Sequence, residues 1–243
     1  MRSLKLPCVI ALALLPLAAL ADPGYYVVTP YDRAGLATVE FRYWTFKRPE
    51  HTEVVWPEWA VGYGVNSRWT TTLLMSYVGT LKGPIEPSTV NWQNVLMLTQ
   101  GEWPLDVALY GAWIRPREDY FGHAFEWGPM LQTDFGRTHV NFNLIFEHVS
   151  SADKATPTQI KYQFQVKHRW QPGWQLGIQA FGELGRWDQW ASHTRQSHRA
   201  GPALFAQWPG EGAKLFELQA AMLWGSTYTK SGHMFSLRAA YSF

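Results

Sequence analysis

The eleven residues His233–Phe243 read H-M-F-S-L-R-A-A-Y-S-F, and they constrain the fold more than any other stretch. Phe235, Leu237, Ala239, Tyr241 and Phe243 fall on one face of an extended strand. Met234, Ser236, Arg238, Ala240 and Ser242 fall on the other. Side chains alternate along a strand with period two, so one face is apolar and the other is small, polar or charged. The chain stops on an aromatic residue with no polar tail. As a free edge in water this strand would template aggregation. In a closed barrel it is the seam that meets the first strand.

Aromatics on one alternating face (Phe235, Tyr241) and a terminal Phe243 resemble the last strand of Gram-negative outer-membrane β-barrels. The resemblance implies an antiparallel barrel and a partner, the barrel assembly machinery, that reads this segment. The start of the chain agrees. Arg2 and Lys5 precede an apolar run over 7–20, and Ala19-Leu20-Ala21 supplies a small-residue cleavage site, so residues 1–21 read as a signal peptide. Cys8 is the only cysteine and lies within it, which excludes a disulfide framework and thiolate chemistry beyond the cleavage point. No later stretch reaches the roughly 18 apolar residues of a membrane-crossing helix. Charged residues make up 16% and aromatics 16% of the chain, and the net charge is +2. That balance, without a basic run, excludes a dedicated nucleic-acid binder.

Residues 22–35 read as an irregular N-terminal segment on the periplasmic side, and 36–243 as the barrel. Twelve strands are expected, at about 36–47, 54–65, 68–78, 89–99, 105–114, 123–134, 138–148, 159–169, 174–184, 199–208, 214–224 and 233–243. Each has the length of a tilted membrane-crossing strand. The expected links alternate. The inner ones are short and carry turn residues (Asn66-Ser67, Gly136, Pro172-Gly173, Pro209-Gly210), whereas the outer ones are longer. A β-sandwich would also alternate apolar and polar residues. It would not gather aromatics at strand ends, as Trp69, Phe135, Trp170, Trp174, Trp208 and Phe243 are gathered at the inner end.

Strand parity turns charges of both signs inward: Glu40, Arg42, Glu58, Arg68, Asp106, Glu126, Asp134, Glu147, Lys161, Lys167, Arg169, Glu183, Arg199, Glu217 and Arg238. On the lipid face an Arg or Lys costs about 2–4 kcal/mol at the midplane, which fixes the assignment. Twelve strands lie between a filled eight-stranded barrel and an open sixteen-stranded channel. The inward charges therefore either close the lumen with ion pairs or line a path for a small solute. Lys161, Lys167 and Arg169 would bias such a path towards anions.

Catalytic signals are sparse. Phe146-Glu147-His148-Val149-Ser150 resembles the His–Ser segment of the lipid A deacylase family. That likeness implies a nucleophile Ser150, a base His148 and Glu147 nearby, but Ser151 stands where the family carries Asn and His148 faces lipid by parity. No nucleophile elbow, phosphate loop or metalloprotease motif occurs. Six histidines (His51, His123, His148, His193, His198, His233) fall near the outer rim without ligand spacing, so no metal and no cofactor is expected. Gly182-Glu183-Leu184-Gly185 followed by His198-Arg199-Ala200-Gly201-Pro202-Ala203-Leu204-Phe205 resembles a broad group of outer-membrane transporter barrels, including those linked to aromatic-compound degradation. The expected protein is an outer-membrane, porin-like transporter of a small solute. A lipid-modifying enzyme, and a structural barrel whose outer loops (Arg186, Trp187, Asp188, Trp190) contact lipopolysaccharide, are the competing readings.

Overall fold

The computed structural model describes residues 26–30, 34–151, 156–227 and 229–243. The expected signal peptide lies outside them. Among the described residues the chain forms twelve strands: β1 (Ala37–Phe46), β2 (Val54–Gly64), β3 (Trp69–Thr80), β4 (Ile85–Met97), β5 (Asp106–Pro116), β6 (His123–Phe135), β7 (Thr138–Ser150), β8 (Gln159–Gln171), β9 (Trp174–Arg186), β10 (Ser197–Pro209), β11 (Leu215–Thr227) and β12 (Lys230–Ser242). Each pairs antiparallel with its sequence neighbours, and β1 pairs with β12 to close the barrel. The seam runs from Thr38 opposite Ser242 to Trp44 opposite Ser236. Ala37 and Phe243 exchange both backbone hydrogen bonds, at 3.0 and 2.9 Å, so the terminal residue is held in the ladder. The end of the barrel that carries this pair is called the inner end below.

Inner links are tight because their residues suit turns. Asn66 Oδ1 accepts from the N–H groups of Arg68 and Trp69 at 2.8 and 2.9 Å. Gly136 and Gly173 take φ values of 62° and 77°, a left-handed backbone that glycine adopts without cost. At the outer end the strands run further than the alternation indicates. β11 and β12 pair out to Thr227 opposite Lys230, which shortens the expected outer link over 225–232.

The exterior is apolar along the whole circumference. Trp59, Leu73, Trp92, Leu109, Phe125, Ile178, Trp224 and Phe235 are all exposed, Trp59 and Ile178 by 55% and 54%. A soluble protein does not present a continuous apolar belt. A lipid-facing barrel wall must, and the polar face of each strand then turns inward. The fold is a transmembrane β-barrel. Two Gly-Pro pairs break the ladder inside it. At Gly128-Pro129 and Gly201-Pro202, an added Cβ on the glycine would lie 1.8 Å from the carbonyl oxygen of Leu144 and Met222 respectively. Regular pairing skips from Ala200–Trp224 to Ala203–Ala221 at the second pair. Proline removes a ladder donor and glycine allows the close approach that follows.

Candidate functional site

Among the described residues, buried polar side chains collect in the lumen. Its outer half holds two ion-paired groups. Lys161 donates to Glu147 Oε2 at 2.8 Å and stands 3.5 Å from Glu126 Oε1. Tyr110 Oη–H donates to Glu126 Oε2 at 3.2 Å. Arg199 Nη1 donates to Glu183 Oε1 at 2.9 Å. Glu126 and Glu147 are fully enclosed, so the ammonium between them offsets a desolvation cost neither could bear alone. The space left between Lys161, Tyr162, Glu183 and Arg199 is about 10 Å³.

At mid-height, side-chain amides link four strands in one row. Gln179 donates to Gln165 at 2.7 Å, Gln165 to Asn141 at 3.2 Å, and Asn141 to Gln132 at 2.7 Å. All four are buried. A hydrogen-bonded row is what buried amides require to avoid unsatisfied donors.

Residues 26–30 enter this interior. Sequence placed segment 22–35 on the periplasmic side; its described part threads the barrel. Tyr26 and Val28 pack on a wall made by β4–β7, including Val95, Tyr110, Met130 and Ile145. Val27 points the opposite way, into a wall of Trp44, Phe181, Phe205, Leu223 and Met234. The segment is thus itself extended, with alternate side chains on opposite walls. Its backbone is tied down: Val28 N–H donates to Gln163 Oε1 at 3.1 Å, and Asn143 Nδ2 donates to the Val28 carbonyl at 2.8 Å. Tyr26 Oη donates to Gln93 Oε1 at 3.2 Å and accepts from Arg42.

On the inner side of this segment lies a cavity of about 130 Å³. Glu40 accepts from Arg238 at 2.7 and 3.1 Å and from Arg42 at 2.8 Å. Glu217 stands 3.7 Å from Arg238 and accepts from Gln207 at 2.8 Å. Lys167 completes the wall, with its ammonium 5.4 Å from the Phe205 ring centre.

The structure therefore brings Glu40, Arg42, Glu217 and Arg238 together at the inner half, and Glu126, Glu147 and Lys161 together with Glu183 and Arg199 at the outer half. Four others leave the lumen at its inner mouth, because strand parity holds but the barrel wall ends. Arg68 is exposed and bonds Glu102 at 2.6 Å. Asp106 caps the 98–105 link by accepting from Gly101 N–H at 2.6 Å. Asp134 holds His139 at 2.7 Å, and Arg169 is exposed at the end of β8. The wall is also less polar than strand parity implied: Trp44, Leu74, Ile114, Met130, Ile145, Leu223 and Met234 face inward and are buried.

Trp69, Phe135, Trp170, Trp174, Trp208 and Phe243 ring the inner end on the outside, and Trp174 meets Trp208 edge-on at 5.4 Å. The segment Glu147–Ser150 forms no dyad. Glu147 turns inward onto Lys161, His148 faces out and bonds Thr158 at 3.2 Å, and Ser150 donates to the His123 carbonyl at 3.3 Å. Successive strand residues point to opposite faces, which separates a charge-bearing base from its helper here. No three-residue cluster able to hold a metal occurs among the described residues. In the outer link between β9 and β10, hydrogen bonds from Arg186 hold the Asp188 carboxyl below its ordinary range.

The residues missed by sequence reasoning are Tyr26, Val27 and Val28. Their signal was the run Tyr25-Tyr26-Val27-Val28, a β-prone apolar stretch ahead of the first strand.

No family model and no curated protein matches the chain. Among solved structures, an outer membrane channel from Pseudomonas putida F1 is similar at 13% identity over 91% of this chain and 99% of that one, with a TM-score of 0.60. A bacterial polysaccharide outer membrane secretin matches at 10% identity over 87% of this chain and 99% of that one, with a TM-score of 0.47. A BenF-like porin from Pseudomonas fluorescens Pf-5 matches at 9% identity over 87% of this chain and 65% of that one, with a TM-score of 0.39. The first likeness shows a shared fold, that of an outer-membrane β-barrel.

Proposed function

We propose that this barrel is a narrow outer-membrane conduit for a small solute. The observation that supports it most is the inner cavity, walled by charged and amide side chains within a barrel whose exterior is apolar. A barrel that served only as a scaffold needs no such vestibule. The shared fold with an outer membrane channel supports the same reading by analogy. Passage requires residues 26–30 to move, because their side chains fill the cross-section between the two apolar walls. Small solutes fit such a path and large ones do not. On this reading the protein is not an enzyme, its leader is removed at Ala21, and its terminal strand is read by the barrel assembly machinery. Lipopolysaccharide surrounds the outer rim, where Trp187 and Trp190 are exposed.

The threaded segment also favours one rival, a structural or surface-binding barrel with a permanently filled lumen. Uptake by liposomes that contain the refolded barrel separates the two. A small neutral sugar, a small carboxylate and a hydrophobic aromatic would be compared with empty liposomes. Uptake of any of them supports a conduit; uptake of none, from barrels of verified fold, supports the scaffold.

A further inference from the structure

One charged group at the inner cavity makes no direct ion pair. Arg42 bonds Glu40 and has Glu58 as its cross-strand neighbour on β2, while Arg238 holds both Glu40 and Glu217. Lys167 forms no ion pair among the described residues. Its acidic neighbours are engaged elsewhere: Glu217, across the cavity, stands 3.7 Å from Arg238, and Asp134, on the adjacent hairpin, is taken by His139 at 2.7 Å. The Lys167 ammonium instead lies over the face of Phe205 on β10. It reaches that far because Gly177, which pairs with Lys167 on the intervening strand, has no side chain to stand between them. Two amide donors in the same cavity are also unused. Gln219 Nε2 and Gln93 Nε2 are buried with no hydrogen-bond partner. Gln219 pairs with Phe205 in the β10–β11 register, so it borders the ring that Lys167 covers. Gln93 is 4% exposed and comes from the opposite wall.

We infer that this cavity is a binding site for a small monocarboxylate, held by the Lys167 ammonium with the Gln219 and Gln93 amides as further donors. The carboxylate gives the ammonium a direct partner, and each orphaned N–H gains an acceptor. The apolar part of the ligand rests on Phe205. A volume of about 130 Å³ restricts the ligand to a few heavy atoms, well below the roughly 300–1,000 Å³ of sites for drug-sized molecules. The site deepens the conduit reading, since a carboxylate bound here would be the solute passed on when residues 26–30 move. Lys161, the other lysine that sequence placed on this wall, takes no part, because Glu126 and Glu147 occupy it.

The test is calorimetric titration of the folded full-length barrel in detergent with butyrate, with butyramide as its uncharged counterpart. The site predicts saturable binding of one butyrate and no heat of binding from butyramide. Lys167→Met should weaken butyrate roughly tenfold or more, and Lys167→Arg should restore most of it. Lys214→Met, in the exposed link before β11, should bind as the parent does. Gln219→Leu should weaken binding by a smaller factor, which tests the site independently of the fold of the lysine variant. Equal affinity in Lys167→Met, or no saturable binding by the parent, overturns the inference. Butyrate binding without any solute uptake supports the site and removes the conduit. Uptake without butyrate binding keeps the conduit and removes the site.

Discussion

Arg42 lies with its guanidinium carbon 3.7 Å from the ring centre of Tyr26 and donates a hydrogen bond to the same side chain. One residue belongs to the barrel wall and the other to the segment that threads it. This contact, with the two hydrogen bonds at Val28, is what holds the lumen filled. Tyr26→Ala removes the ring and the hydroxyl but leaves the barrel ladder intact. The Val28 amide should then exchange with solvent roughly tenfold faster, with little change at Phe41 or Leu237 in the seam. Hydrogen exchange read by mass spectrometry checks this. An unchanged rate at Val28 would mean that the backbone bonds alone pin the segment.

The outer ion-paired group makes a stability prediction. Lys161→Met leaves Glu126 and Glu147 enclosed without their shared cation. Removing one partner from a buried set costs about 3–5 kcal/mol. Arg68→Ala, which breaks the exposed pair with Glu102, should cost about 0–1 kcal/mol. Urea unfolding in lipid vesicles compares the two. Adding Glu147→Gln to Lys161→Met should recover part of the loss, because it removes one of the stranded charges.

Much of this architecture is written in the sequence, and the reason is the single period-two rule. Residues such as Phe142 and Asn141 announce opposite faces wherever one side meets lipid, so the strands of the membrane zone are readable to within a few residues. Beyond the membrane the rule lapses. Thr227 and Lys230 pair in the ladder although neither side faces lipid, and the outer ends of β11 and β12 therefore escape notice. Inside, parity says that a side chain points inward but not what it meets. It could not distinguish Lys161, which two glutamates bracket, from Lys167, which faces a cavity. Nor could it place Tyr26–Val28, because a segment that enters the lumen satisfies its backbone with side chains such as Gln163 and Asn143 rather than with a neighbouring strand.

Gly201 tests the ladder break in β10. An added methyl would meet the Met222 carbonyl oxygen at 1.8 Å, which is backbone and cannot swing aside. Gly201→Ala should therefore lower stability by more than the roughly 1 kcal/mol by which glycine and alanine differ in regular structure, and with the opposite sign. The shift of unfolding midpoint between the two proteins measures it. A more stable alanine variant would contradict the close approach.

The lipid face is tested at Ile178, which points outward near the middle of β9. Ile178→Arg should cost about 2–4 kcal/mol in a bilayer. The adjacent Gln179→Ala, on the inner face, should instead release the amide of Gln165 and cost about 1–3 kcal/mol. Shifting the bilayer to a shorter acyl chain should reduce the first loss and leave the second unchanged, since only the first depends on depth in lipid.

The most direct test of the conduit is ion conductance across a planar bilayer, for the parent barrel and for a variant lacking residues 22–33, both of verified fold. Small or brief conductance steps are expected for the parent and larger, long-lived steps for the shortened barrel, because the filling segment is gone. No steps from either protein would contradict the conduit, and would leave a barrel whose interior is closed by its own ion pairs and amide row.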